Sequence, residues 1–164
     1  MPSTIVRFEL GGREVEVMVR PMTTLQSVLR AQLGATATKE GCRQGGCGSC
    51  TVLVDDEPML SCLLPVEDVA GRRVTTLESL TPAEGLHPIQ QAFIDTYAFQ
   101  CGYCTPGMVM IGKALLDHDP APAADVIGEA LAGNICRCTG YRPIVQAIGE
   151  AAAALRNDEG AQAR

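Results

Sequence analysis

No stretch of about 18 consecutive apolar residues occurs in this sequence, which excludes a membrane-spanning helix. The first residues, MPSTIVRFEL, also lack the basic start and apolar run of a secretion signal, so the chain is read as cytoplasmic. Basic charge is scarce: 13 Lys and Arg stand against 19 Asp and Glu, a formal charge of -6. Phosphate backbones are bound by clustered Lys and Arg, so nucleic acid is excluded as a partner. No G-x-G-x-x-G turn and no Walker loop is present, which places any flavin or nicotinamide site on another chain. Nor does any Ser/His/Asp or paired-carboxylate arrangement offer itself for acid–base chemistry. With no long repeat or low-complexity tract either, the reading is of a folded chain that does not itself transform a substrate.

What the sequence has in quantity is cysteine, eight in 164 residues. In a reducing compartment these are poor candidates for disulfides, and a chain this long builds a core without such staples. They are read as metal ligands.

The pattern around them divides the chain in two. Val6, Phe8 and Leu10 alternate along one face, Gly11-Gly12 marks a tight hairpin, and Val15, Val17 and Val19 alternate again. Thr23 with Gln26 three residues on predicts a capping box for a helix carrying Leu25, Val28, Leu29 and Leu33, stopped by Gly34. After a glycine-rich cysteine loop come a strand from Thr51 to Val54, a turn over Asp55-Asp56-Glu57-Pro58, a strand through Cys62, and an extended run from Val74 to Leu77. The first half is thus a small mixed sheet packed on one helix. Pro82 and Gly85 break the pattern in ESLTPAEGL, and the boundary is set there, giving domains over 1–80 and 81–164. Beyond it the period changes to about 3.6, predicting helices near 88–99, 106–117, 123–132 and 143–155 and a frayed tail, NDEGAQAR. The fold class is α+β.

Cys42, Cys47, Cys50 and Cys62 follow C-x4-C-x2-C-x11-C inside and just beyond GCRQGGCGSC. The first three reproduce plant-type ferredoxin spacing for a 2Fe-2S cluster. Gly41, Gly45, Gly46 and Gly48 permit a loop that bends through positive φ and aims N–H groups at sulfur. A structural zinc is the competing reading, but its usual signature is two C-x2-C hairpins, and here a long glycine loop precedes a single one. Only His87 and His118 could serve a Rieske centre, and both stand far from the loop. Arg43 in the loop either softens the cluster charge or is a solvated surface residue.

Cys101 and Cys104 form C-x2-C, and Cys136 and Cys138 form C-x-C after 31 intervening residues. Spacing alone leaves zinc and iron–sulfur open. The segments QCGYCTPG and GNICRCTGYRP, with GCRQGGCGSCTV upstream, closely resemble the iron–sulfur subunit of the molybdenum hydroxylases, the family of xanthine dehydrogenase, aldehyde oxidoreductase and carbon monoxide dehydrogenase. The resemblance runs from about residue 4 to residue 155 and includes all eight cysteines.

That resemblance implies a ferredoxin-like β-grasp domain followed by an all-α four-helix 2Fe-2S domain, with two clusters in all. It implies an electron-transfer subunit that carries electrons from a molybdenum–pterin cofactor, in its cytosine dinucleotide form, on a large partner to FAD on a medium partner. The reaction served is oxidative hydroxylation of a small substrate, in a dimer of heterotrimers. Gln100 and Cys138 are the residues it sets against the pterin; a side-chain amide offers both donor and acceptor to such an edge. Pro106 and Pro143 fall in helix first turns, with Thr105 as a cap, and Tyr103 and Tyr141 are scaffold beside the cysteines. A free-standing two-cluster ferredoxin and a zinc-stapled interaction module are the alternatives.

Overall fold

The computed structural model describes residues 3–162. Strands β1 (Thr4–Leu10) and β2 (Arg13–Val19) pair antiparallel across Gly11 and Gly12, both at positive φ, as the hairpin signal predicts. Helix α1 (Leu25–Ala31) follows, then β3 (Thr51–Val54), β4 (Glu57–Leu60) and β5 (Arg73–Thr75) complete a five-stranded sheet ordered β2-β1-β5-β3-β4. β5 runs parallel to β1 and antiparallel to β3, so the sheet is mixed. One face, with Val6, Phe8, Val17, Val52 and Val54, closes over Leu25, Val28 and Leu29 of α1.

Local details depart from the sequence reading. The cap of α1 is Thr24, whose hydroxyl accepts from the Ser27 N–H at 3.3 Å; Thr23 donates to the Arg20 carbonyl instead. Gln26 is buried and its amide donates to the Lys39 carbonyl at 2.7 Å, so no capping box forms. The β3–β4 turn is Asp55-Asp56, both at positive φ, and Pro58 lies within β4 opposite Leu53. An edge strand such as β4 tolerates Pro because the N–H groups on its outer side have no neighbouring strand to donate to. β4 ends before Cys62, and β5 ends at Thr75, with Leu77 opening a one-turn helix, α2 (Leu77–Leu80).

The second half holds α3 (Pro88–Asp95), α4 (Thr105–His118), α5 (Ala124–Ala130) and α6 (Arg142–Gln162). Helix α3 is shorter than its predicted span, ending at the Thr96 cap. Helix α6 continues through the segment expected to fray; Ala163 and Arg164 lie outside the described residues. Ile89 and Phe93 of α3, Met108 of α4, Ile127 of α5 and Ile144 and Ile148 of α6 form a second core. A third, smaller apolar cluster joins the halves: Leu53, on the far face of β3, packs with Met110 and Ala114 of α4. All four residues of β3 are buried because both faces of that strand are covered. No helix among the described residues is long and apolar enough to cross a membrane.

Candidate metal centres

The first cysteine set is assembled by one loop and one hairpin. Cys42 and Cys47 lie in the loop between α1 and β3, while antiparallel pairing of Thr51 with Leu60 brings the two ends of the hairpin, at Cys50 and Cys62, together. Ser61 between them donates its hydroxyl to the Cys50 carbonyl at 2.7 Å. The loop is tied to α1 by Gln26 and by Arg30, whose guanidinium donates to the Thr36 and Thr38 carbonyls at 2.9 Å each. Of the four loop glycines, Gly45 and Gly48 have positive φ, and Arg43 shares that region. The Gly46 N–H lies 3.2 Å and the Gln44 N–H 3.5 Å from Cys42 Sγ, both as donors. Arg43 extends into solvent and pairs with Glu40.

These surroundings split the thiols chemically. The Gln44 N–H, helped by the Cys47 thiol and the Gly46 and Cys47 N–H groups, draws the Cys42 pKa down to about 7. Burial, with the neighbouring Cys62, pushes Cys50 up to about 11. N–H groups aimed at sulfur favour the anionic thiolate that a metal requires.

The second set comes from the ends of helices. Cys104 is the N-terminal cap residue of α4 and Cys101 lies in the turn before it; Cys136 and Cys138 lie in the turn before α6. Pro106 and Pro143 occupy first-turn positions as expected, where a missing N–H costs nothing. Thr105 is not a cap: it lies inside the helix, and its hydroxyl oxygen is buried without a partner. Burial first, then the nearby Cys136 thiol, raises Cys104 to about 12. Burial works in the same direction on Cys136, but the Thr139 hydroxyl and the Thr139 and Cys138 N–H groups outweigh it and leave that thiol lowered. Cys138 is raised, mainly by the Cys101 thiol beside it.

The eight thiols come in four pairs. Cys101 and Cys138 Sγ are 3.7 Å apart, and each of the other thiols has a partner near enough to affect its titration, Cys104 beside Cys136, Cys42 beside Cys47 and Cys50 beside Cys62. Each half therefore carries two pairs side by side. A zinc ion bound by four thiolates at about 2.3 Å draws all four sulfurs around one point, whereas here each half presents its thiols as two pairs. Two irons with two thiolates each, as in a 2Fe-2S cluster, match two adjacent pairs. The donor set fits that group in both halves.

Six of the eight, Cys42, Cys47, Cys101, Cys104, Cys136 and Cys138, line one cleft of about 350 Å³ between the halves. Cys62 opens instead on a groove with Thr24 and Arg43. The cleft walls are joined by three hydrogen bonds: Ile135 N–H to the Cys47 carbonyl at 2.9 Å, the Asn134 amide to the Gly48 carbonyl at 3.3 Å, and Tyr103 hydroxyl to the Glu40 carbonyl at 2.7 Å. Contact is close enough that a Cβ on Gly107 would overlap the Gly48 carbonyl oxygen, and one on Gly48 would overlap Asn134. Cys101 and Cys138 are exposed, as is Gln100 next to Cys101, so the two residues that the resemblance sets against a pterin lie at one solvent-facing edge.

Several contributors escaped the sequence reading. Asn134 is 3% exposed and bridges the halves, which nothing in its polar character announces. Ser49 approaches Cys47 Sγ at 3.2 Å and Thr139 approaches Cys136 Sγ at 3.1 Å; a hydroxyl two or three residues from a ligand was the available signal. Tyr141 is more than scaffold: its hydroxyl accepts from the Cys136 N–H at 2.9 Å and donates to the Asn134 carbonyl at 3.1 Å.

Comparison with known proteins places residues 8–73 in the 2Fe-2S iron-sulfur cluster binding domain family and residues 76–149 in the 2Fe-2S binding domain family. One of the subunits of nicotinate dehydrogenase from Pseudomonas putida is 44% identical over 93% of this chain and 98% of its own. Aldehyde oxidase 1 of Oryctolagus cuniculus is 43% identical over 89% of this chain, which spans 12% of that larger protein. The crystal structure of quinoline 2-oxidoreductase from Pseudomonas putida 86 superposes with a TM-score of 0.91 at 40% identity, covering 96% of this chain and 98% of the matched one. The ferredoxin-like domain followed by a helical 2Fe-2S domain is as expected.

Proposed function

The chain belongs to the iron–sulfur small-subunit family of the molybdenum hydroxylases, and from that membership we propose that it conducts electrons from a molybdenum–pterin site on a large partner to FAD on a medium partner. In this reading Cys101, Cys104, Cys136 and Cys138 hold an inner 2Fe-2S cluster and Cys42, Cys47, Cys50 and Cys62 an outer one. When bound, the two clusters supply one-electron acceptors in series. The residues do the rest: the exposed Cys101–Cys138 edge with Gln100 meets the pterin, in its cytosine dinucleotide form, and the Cys62 groove faces the exit toward the flavin. The division at residues 80 and 81 separates the two conducting units, and the assembly is a cytoplasmic dimer of heterotrimers.

One observation carries the proposal: six thiols from both halves border a single cleft whose walls are hydrogen-bonded to each other. A chain built only to be stapled by metal has no need to bring its two sites together. Two relatives of matching length are named for N-heteroaromatic compounds, nicotinate and quinoline, and we take that class as the first substrate to try on the assembled enzyme.

The test is to purify the tagged chain with whatever accompanies it, reduce it mildly and record its electron paramagnetic resonance. Two distinct cluster signals together with molybdenum-bearing and flavin-bearing partners are expected. A colourless, silent protein overturns the iron reading, and a coloured chain that elutes alone and carries electrons without partners is a ferredoxin.

A further inference from the structure

We propose that the Thr139 hydroxyl, aimed by the backbone of Tyr141, is the hydrogen-bond donor that sets the reduction potential of the inner site; this rests on the assignment of Cys136 as a ligand there. The hydroxyl sits 3.1 Å from Cys136 Sγ, a contact in which distance alone leaves the donor undecided. Its direction follows from the neighbouring bond. The Tyr141 N–H donates to Thr139 Oγ1 at 3.2 Å, occupying an acceptor position on that oxygen and leaving its own proton free to point at sulfur. A ligating thiolate has no proton to give, so Thr139 must be the donor.

The surrounding geometry holds this hydroxyl in place. Gly140, between the two, lies at positive φ, which glycine adopts without a steric cost, and that turn of the chain brings the Tyr141 N–H back onto Thr139. The tyrosine's other end is fixed twice, accepting from the Cys136 N–H and donating to the Asn134 carbonyl. Thr139 and Tyr141 thus close a ring of hydrogen bonds around Cys136, the buried member of the second set.

Reduction adds one electron to the site, supplied by the molybdenum partner or by dithionite, and no bond forms or breaks. The added negative charge spreads onto the thiolate sulfurs, where a hydroxyl donor stabilises the reduced form more than the oxidised one. Thr139 therefore raises the potential of the inner site relative to one without it. Ser49, 3.2 Å from Cys47 Sγ, lies on the other set and leaves the inner one untouched.

The experiment is a redox titration of the full chain in its complex, following each cluster signal separately in wild type, Thr139→Val, Thr139→Ala and Thr139→Ser. The inner signal is expected to require a lower potential in the Val and Ala variants, to return to the wild-type position in Ser, and the outer signal to stay where it is throughout. Unchanged inner potentials in iron-replete Val and Ala variants overturn the proposal, as does an equal shift of both signals. Should Val fail to load, the Ala and Ser pair decides. A wild-type protein lacking the second signal refutes the ligand assignment itself, which keeps the two failures apart.

Discussion

The Ile135 N–H donates to the Cys47 carbonyl at 2.9 Å, so a neighbour of one candidate ligand is hydrogen-bonded to the backbone of another in the opposite half. Cys47 and Cys136 are thereby joined by a short run of covalent bonds and one hydrogen bond. The spacing between the two sites is held by this backbone pair together with the Asn134 and Tyr103 side-chain bonds, all of them direct, and this makes it sensitive to small changes.

Gly107 is the position at which to test that sensitivity. In an isolated helix Gly→Ala is favourable by roughly 0.5–1 kcal/mol, but here the added methyl meets the Gly48 carbonyl oxygen. Gly107→Ala is expected to lower thermal stability, by about 1–3 kcal/mol as overpacking does, and to alter the magnetic interaction between the two reduced clusters. A variant more stable than wild type with unchanged spectra would remove Gly107 from the interface.

Leu53 should matter to both halves at once. It is 2% exposed and packs against Met110 and Ala114 from the face of β3 opposite α1. Leu53→Ala is expected to cost about 2–5 kcal/mol, visible as a fall of several degrees in the melting temperature.

The two thiol sets are separable by mutation. Cys104→Ser should remove the inner cluster signal and leave the outer one, while Cys50→Ser should do the reverse, each with about half the iron lost on elemental analysis. Loss of neither signal in Cys104→Ser would contradict the inner assignment.

His87 contributes a pH dependence through the cap of α3. Its Nδ1 accepts from the Ile89 N–H at 3.2 Å, which requires the neutral ring, and its backbone N–H donates to Gln90 at 3.0 Å. Burial first, then the Lys113 charge, lowers its pKa against the opposing pull of Asp117. Below the ordinary histidine value of about 6.5 the unfolded chain binds more protons than the folded one, so this contribution is full at pH 7 and is lost as pH falls through the lower folded value. His87→Asn keeps an acceptor at the cap without titrating. Melting curves between pH 8 and 5 should show a shallower loss for the variant than for wild type.

The difference between the two sites in how far sequence reveals them has a physical origin. Cys42, Cys47, Cys50 and Cys62 lie within one loop and one hairpin, so spacing and glycine content describe their geometry. The crosswise meeting of Cys101 with Cys138, and of Cys104 with Cys136, is produced by packing α3, α4 and α6 around Ile89, Met108 and Ile148, and no local pattern encodes it. Only the wording of the flanking segments pointed there. The Thr23 cap and the Thr105 cap failed for a related reason: neighbouring residues of similar chemistry compete for one role, and the path of the chain chooses between them.

The tether of the glycine loop to α1 ties the first cysteine set to the core of its own half. Gln26 and Arg30 hold carbonyls at residues 36, 38 and 39 from a helix whose Leu25, Val28 and Leu29 are packed under the sheet. A shift of that helix is therefore passed to the backbone leading into Cys42, and the sheet's packing becomes part of what positions the thiols.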